Sequence, residues 1–235
     1  MAESIEIIGT GSTPRGGISR LSWAKVYLSL SCATLVVGIL VLSVPWSRIY
    51  VLRSAGRLLV VQQAVGKADI IVVAIDADGA GTLEAADLVH RGVSTRVAVF
   101  DDPPDSVDRE FLRRGLPYED RAAISTRQLH SLGVENVEQI PRSTTGSEQE
   151  GDILPTWCEK QGYQSVVLVT SSDHSRRLHR ILQRSSRGHQ LRISVRTSLF
   201  SKFDPDGWWK TREGVRTGIV ELEKLLLDVA RHPFC

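Results

Sequence analysis

The stretch Val169 to Arg177, VTSSDHSRR, ends an apolar run with a small polar turn, a histidine and two arginines. His174 and Arg177 stand three residues apart, so on a helix they share a face. An imidazole gives or takes a proton near neutrality. A guanidinium offers a planar fork of donors to a phosphate or a carboxylate. Ser171 and Ser172 occupy the turn before that helix, and Ser172 or Asp173 is the candidate cap. The N–H groups of the helix start then point outward, where an anion can meet them. Arg180 and Arg184 continue one stripe of the helix and read as a solvated charged face.

A second polar turn, PRSTTGSEQE, carries Ser147 and Glu150 at S-x-x-E spacing, the pattern of a capping box that opens a helix. It also brings a carboxylate, Glu148 or Glu150, to the rim that holds His174. A Glu/His/Arg trio of this kind can bind a polar ligand or move a proton, with His174 and Glu150 as the catalytic candidates. Arg177, Ser171, Ser172, Ser147, Glu148 and Asp76 are the candidates for ligand contact. Asp76, Asp78, Asp101 and Asp102 follow two other apolar runs. Carboxylates there can hold a divalent metal, but they also cap helices and end strands, and no metal site is expected. DADGAG does not match G-x-G-x-x-G, and neither a P-loop nor a G-x-S-x-G elbow is present.

The elements that must position these residues alternate. Strands are expected at 70–75, 96–100, 137–140, 166–170 and 191–195. Helices are expected at 82–91, 120–132, 153–160, 174–183 and 214–231. The last helix presents Val215, Ile219, Leu222, Leu226 and Val229 as its core stripe. Such alternation predicts an α/β domain: a doubly wound, mainly parallel five-stranded sheet with helices on both faces. Ligands of such sheets bind beyond the carboxyl ends of the strands, where all the polar turns above fall. Residues 101–120 are the longest irregular stretch and a candidate lid. Trp208 and Trp209 are expected to pack against the sheet.

Composition narrows the classes. The 235 residues are 42% hydrophobic and 24% charged, with a net charge of +2. That is too mild for nucleic acid to be the partner. Cys32, Cys158 and Cys235 show no metal-ligand spacing; Cys158 and Cys235 either pair in an oxidising compartment or stay free. The run from Val26 to Val44, VYLSLSCATLVVGILVLSV, carries no charge. It is flanked by Trp23, Tyr27, Trp46 and Tyr50, which suits an uncleaved transmembrane anchor. Three basic residues on each side leave its orientation open. The expected organisation is a disordered tail at 1–25, a transmembrane helix at 26–46, a connector at 47–67 and the α/β domain at 68–235.

RLLVVQQAVGKADIIVVAI, STTGSEQEG, VVLVTSSDHSRRL and WWKTREGVRTGIVELEKLLL occur in this order behind an apolar N-terminal segment. In this the chain resembles the YdcF/SanA/ElyC-like family of bacterial Rossmann-like domains. The resemblance runs from Arg57 to Pro233 and is most specific at VTSSDHSRR, which sets His174 and Arg177 on the family's polar pair. Ser147 and Glu150 are similar to its second polar turn. It implies an anchored domain outside the inner membrane and a role in bacterial cell-envelope biogenesis; the small anionic, phosphate- or nucleotide-like ligand is expected from the residues themselves, the positive charge of His174 and Arg177 beside a helix start at the end of a strand. S-adenosylmethionine is a cofactor by resemblance alone. DADGAG and DDPP depart from the family's Gly-rich turns, which implies the alternative of an anchored, non-catalytic scaffold with a degenerate pocket.

Overall fold

The computed structural model describes residues 27–29, 31–33, 36–38, 43–142 and 146–234. The chain divides into two units, 1–49 and 50–235. In the first, 27–29, 31–33 and 36–38 are helical. Among the described residues no helix is long and apolar enough to cross a membrane. Of the expected span from Val26 to Val44, residues 26, 30, 34, 35 and 39–42 lie outside those described, and the expected tail at 1–25 lies wholly outside them.

The second unit carries the α/β fold. Helix α1 spans Pro45–Leu58, where a connector was expected. Then follow β1 (Ile70–Val73), α2 (Asp78–His90), β2 (Arg96–Phe100), α3 (Ser106–Arg113) and α4 (Arg121–Ser131). The chain continues with β3 (Asn136–Ile140), α5 (Ser147–Gln161), β4 (Ser165–Thr170), α6 (Ser175–Ser185), β5 (Arg192–Thr197) and α7 (Arg212–Arg231). The sheet order is β3-β2-β1-β4-β5 and every pair is parallel. The expected five-stranded parallel α/β sheet is therefore present, whereas the transmembrane helix expected before it is not supported among the described residues. The β-branched runs IIVV and SVVLVT form its centre because residues covered on both faces need no polar alternation. Ile70, Val72 and Leu168 point into one core with Leu154 and Leu178. Ile71, Val73 and Val167 point into the other with Ala85 and Leu129.

The chain builds β2 and β3 on one side of β1, then crosses to place β4 on the other. The switch point thus lies between β1 and β4, where a crevice opens beyond the strand ends. Two close approaches fix the helices that frame it. A Cβ on Gly81 would stand 2.4 Å from the Ala77 Cβ and 2.8 Å from a Val73 methyl, so only glycine lets α2 settle on β1. A Cβ on Gly151 would meet the Ile181 Cγ2 at 2.3 Å, so glycine lets α5 cross α6 closely.

Several expectations are corrected. Residues 101–120 are not irregular throughout, for Asp105 caps α3 in a full capping box with Asp108. Trp208 does not pack on the sheet; it sits with Leu59, Phe203 and Leu225 and donates to the Leu52 carbonyl at 2.8 Å. Helix α7 buries Gly218, Glu221, Leu225 and Asp228, while Ile219 is 54% and Leu226 69% exposed. Its buried stripe is partly acidic because α6 presents arginines to it. Cys158 is a free thiol in the core, pushed up to about 12 mainly by burial; Cys235 lies outside the described residues.

Candidate functional site

Asp76 follows β1 in a single turn of 3-10 helix, and Ser171 to His174 follow β4, so both strand ends face the crevice. Asp76 is held in place by β4. Its carboxylate accepts from Thr170 Oγ1 at 2.9 Å and from the Ser171 N–H and Oγ at 2.9 and 2.5 Å. Ser171 therefore fixes a carboxylate and lines the cavity at the same time. Ser172 is turned away from it. Its buried hydroxyl donates to the Phe203 carbonyl at 2.9 Å and shares a hydrogen bond with Ser201, so it is structural and not a ligand contact. Neither Ser172 nor Asp173 caps α6; His174 holds that position without a side-chain bond.

His174 is 4% exposed and makes three contacts. Its Nε2 lies 2.9 Å from Ser147 Oγ, at the start of α5. Its Nδ1 lies 3.3 Å from Glu221 Oε2 on α7 and 2.9 Å from an Arg177 guanidinium nitrogen. A hydroxyl, an imidazole and a carboxylate thus stand in series, drawn from three elements. Ser147 does not close the expected capping box. Gly146 is the cap residue, with φ 119°, and the Ser147 hydroxyl is spent on His174 instead. Burial opposes charge on His174, but Asp76 and Glu221 outweigh it, and its pKa is raised. Glu221 pays a burial penalty too, yet His174, Lys224 and Arg177 hold it at about 2. Lys224 donates to it at 2.7 Å.

These groups wall a cavity of about 710 Å³. Its lining charges are Asp76, Asp78, Asp173, Glu213 and Glu221 against Arg177, Lys202 and Lys224, with His174 between them. The cationic wall expected from the arginine-rich helix is therefore largely matched inside the protein. Arg177 meets Glu221 at 3.3 Å. Arg180 and Arg184 are not a solvated face, for they pair with Asp228 at 2.5 and 2.8 Å and tie α6 to α7. Asp78 pairs with Arg121 at 2.8 Å. Burial above all raises the Asp173 carboxyl. Lys202, exposed on the rim, has no ion-pair partner among the described residues.

Glu150 does not line this cavity. One turn beyond Ser147, it faces a second cleft of about 600 Å³, walled also by Asp102, Tyr118, Arg121 and Arg142. It is 5% exposed; Arg142 approaches its Oε1 at 3.7 Å, and its Oε2 has no hydrogen-bond partner among the described residues. Burial first, and then Asp76, push its pKa up to about 7. Ser147 and Asp76 line both cavities. Glu148 lines neither, since its exposed side chain reaches Arg184 at 3.4 Å on the outside. The structure thus gathers His174, Arg177, Ser147, Ser171 and Asp76, sets Glu150 next door, and removes Ser172 and Glu148. Sequence reasoning missed Glu221, Lys202, Lys224 and Arg142. A signal for Glu221 was present in the helical spacing of Gly218, Glu221, Leu225 and Asp228, a small-and-acidic stripe beside the apolar one.

No group of three or more His, Cys, Asp or Glu suited to a metal occurs among the described residues. S-adenosylmethionine finds carboxylates for its cationic groups in Asp76, Asp173 and Glu213. However, the cavity's one aromatic lining residue, Phe203, is 6% exposed and offers its adenine no face, so the residues present do not fit it. A scan of family models, a search of curated proteins and a search of solved structures each find no match to this chain.

Proposed function

We propose that this domain binds a small phosphate-bearing anion, through its phosphate and without stacking of a base, in the crevice between β1 and β4, as a divergent YdcF-like protein of bacterial cell-envelope biogenesis. In this reading the segment from Val26 to Val44 anchors the chain in the inner membrane and the domain lies on the extracytoplasmic side. One observation carries the ligand: Lys202, without an ion-pair partner among the described residues, and Arg177 line the same 710 Å³ cavity as a buried histidine at the sheet's switch point. The ligand's charge would meet Lys202 and compete with Glu221 for Arg177. Titration of inorganic phosphate and of a nucleoside monophosphate into the full chain in detergent tests it. Lys202→Ala is expected to weaken binding about tenfold, the scale of one charge-assisted contact. Equal affinity in wild type, Lys202→Ala and Arg177→Ala would remove the anion site. A reporter active only in the cytoplasm, fused after Cys235, should stay silent; a strong signal would reverse the proposed topology.

A second reading, an anchored non-catalytic scaffold, is favoured by the neutralisation of Arg177 and Lys224 by Glu221. It predicts no saturable phosphate binding at all.

A further inference from the structure

The contacts at His174 Nδ1 exclude one another. A nitrogen that carries a proton donates to Glu221; one without a proton accepts from Arg177. With Arg177 at 2.9 Å and Glu221 at 3.3 Å, this geometry favours Arg177 in the neutral ring. The ring proton then sits on Nε2 and points at Ser147 Oγ, 2.9 Å away. In that tautomer His174 cannot take the serine's proton.

We propose that Ser147 is a covalent nucleophile, and that an anionic group on its substrate switches it on by drawing Arg177 off His174. This rests on the anion-binding reading above. Once Arg177 turns to the anion, Nδ1–H docks on Glu221 and Nε2 becomes a bare acceptor facing Ser147. Hydroxyl, imidazole and carboxylate then stand in the order that general-base activation of a serine needs. The position of Ser147 suits the role. It is the first residue of α5, the helix end that carries the positive pole of the helix dipole, which suits a developing oxyanion. It also lies where the cavities of about 710 and 600 Å³ meet, which leaves room for a group on either side of the reacting atom.

The substrate class is a carboxylic ester that bears a phosphate or carboxylate. Ser147 Oγ forms a bond to the acyl carbon while its proton passes to His174 Nε2. The carbonyl π pair moves onto oxygen. Collapse expels the alkoxide, which takes the proton from Nε2 and leaves as an alcohol. Water then repeats the step on the acyl-serine and releases the acid and the free hydroxyl.

The experiment uses the full chain in detergent, an uncharged fluorophosphonate as the probe, and mass spectrometry to locate the adduct. Inorganic phosphate is expected to speed labelling of Ser147 about tenfold in wild type, a comparison that needs no variant. Arg177→Ala should label at the fast rate without phosphate and gain nothing from it. Glu221→Gln should stay slow in both conditions, and Ser147→Ala should carry no adduct there. At alkaline pH the His174 ring nitrogens, followed by 15N NMR, should show phosphate moving the proton from Nε2 to Nδ1. If calorimetry shows phosphate bound while labelling is unchanged or slowed, the gate is wrong and the anion site survives. If phosphate does not bind and labelling is unchanged, both fall. No adduct at Ser147 in any condition overturns the nucleophile.

Discussion

Two buried glutamates on arginines divide the molecule into a part that holds and a part that can react. Glu84, on α2, is fully buried. Its Oε1 accepts from Arg196 at 2.9 Å and Arg91 at 3.2 Å, and its Oε2 accepts from the Leu199 N–H at 3.0 Å. Both of its oxygens are used. Glu150, on α5, is nearly as buried, but it keeps an oxygen without a partner among the described residues and has a cleft in front of it. Saturation separates the two. A carboxylate whose donors are all supplied by the protein is cement, while one left short of donors changes its protonation and so remains available to a ligand.

The comparison breaks first at Glu84. Glu84→Ala strands Arg196, which is mostly buried, and the Leu199 N–H. Loss of one partner of a buried pair typically costs about 4 kcal/mol. Chemical denaturation should show a drop of that size, with phosphate affinity unchanged in the folded fraction. A drop under about 1 kcal/mol would mean that the site is not cement.

Acid–base behaviour sharpens the contrast. The Glu150 pKa is about 7 in the folded chain against an ordinary 4.5, so the folded state binds the extra proton between those values. Its contribution to stability is complete below pH 4.5 and is lost as pH rises to about 7. The loss is about 3 kcal/mol from 1.36 kcal/mol per pH unit. Glu221 runs the other way. Held at about 2, it stabilises the fold above pH 4.5 and loses that contribution as pH falls toward 2. Glu150→Gln keeps the shape of the protonated acid, so between pH 4.5 and 7 its stability should decline less than that of wild type, by about 3 kcal/mol. Parallel curves for the two proteins would show that Glu150 is ionised there like any surface carboxylate.

The sheet was legible because its signal is local. IIVV, RVAVF and VVLVT are apolar, β-branched and bounded by turn residues, and β2 falls on the expected 96–100. So was the place of the site, since every polar turn follows a strand. The site's partners were not. His174 finds Glu221 47 positions away, and Arg180 finds Asp228 48 away. Those pairings rotate α7 so that acids face α6 and Ile219 and Leu226 face out. An apolar stripe alone points to the opposite face. S-x-x-E likewise describes a cap, but nothing local says that Ser147 has an imidazole to bond instead.

The smallest effect is the sharpest test of placement, because it separates neighbours two residues apart on one helix. Glu148 and Glu150 are interchangeable in the sequence pattern, yet the turn of α5 sends the first to solvent and the second into the cleft. Glu148 is 66% exposed in its side chain and meets Arg184 at 3.4 Å, a loose pair in high dielectric. Arg184 keeps Asp228 at 2.8 Å when Glu148 is neutralised, so no buried charge is stranded. Glu148→Gln should therefore change stability by no more than about 0.5 kcal/mol. It should leave phosphate affinity, Ser147 labelling and the slope of stability between pH 4.5 and 7 as in wild type. A Glu148→Gln protein that lost phosphate binding while Glu150→Gln kept both binding and slope would place the reactive carboxylate on the other side of α5, and the contrast between cement and chemistry would have to be redrawn around Arg184.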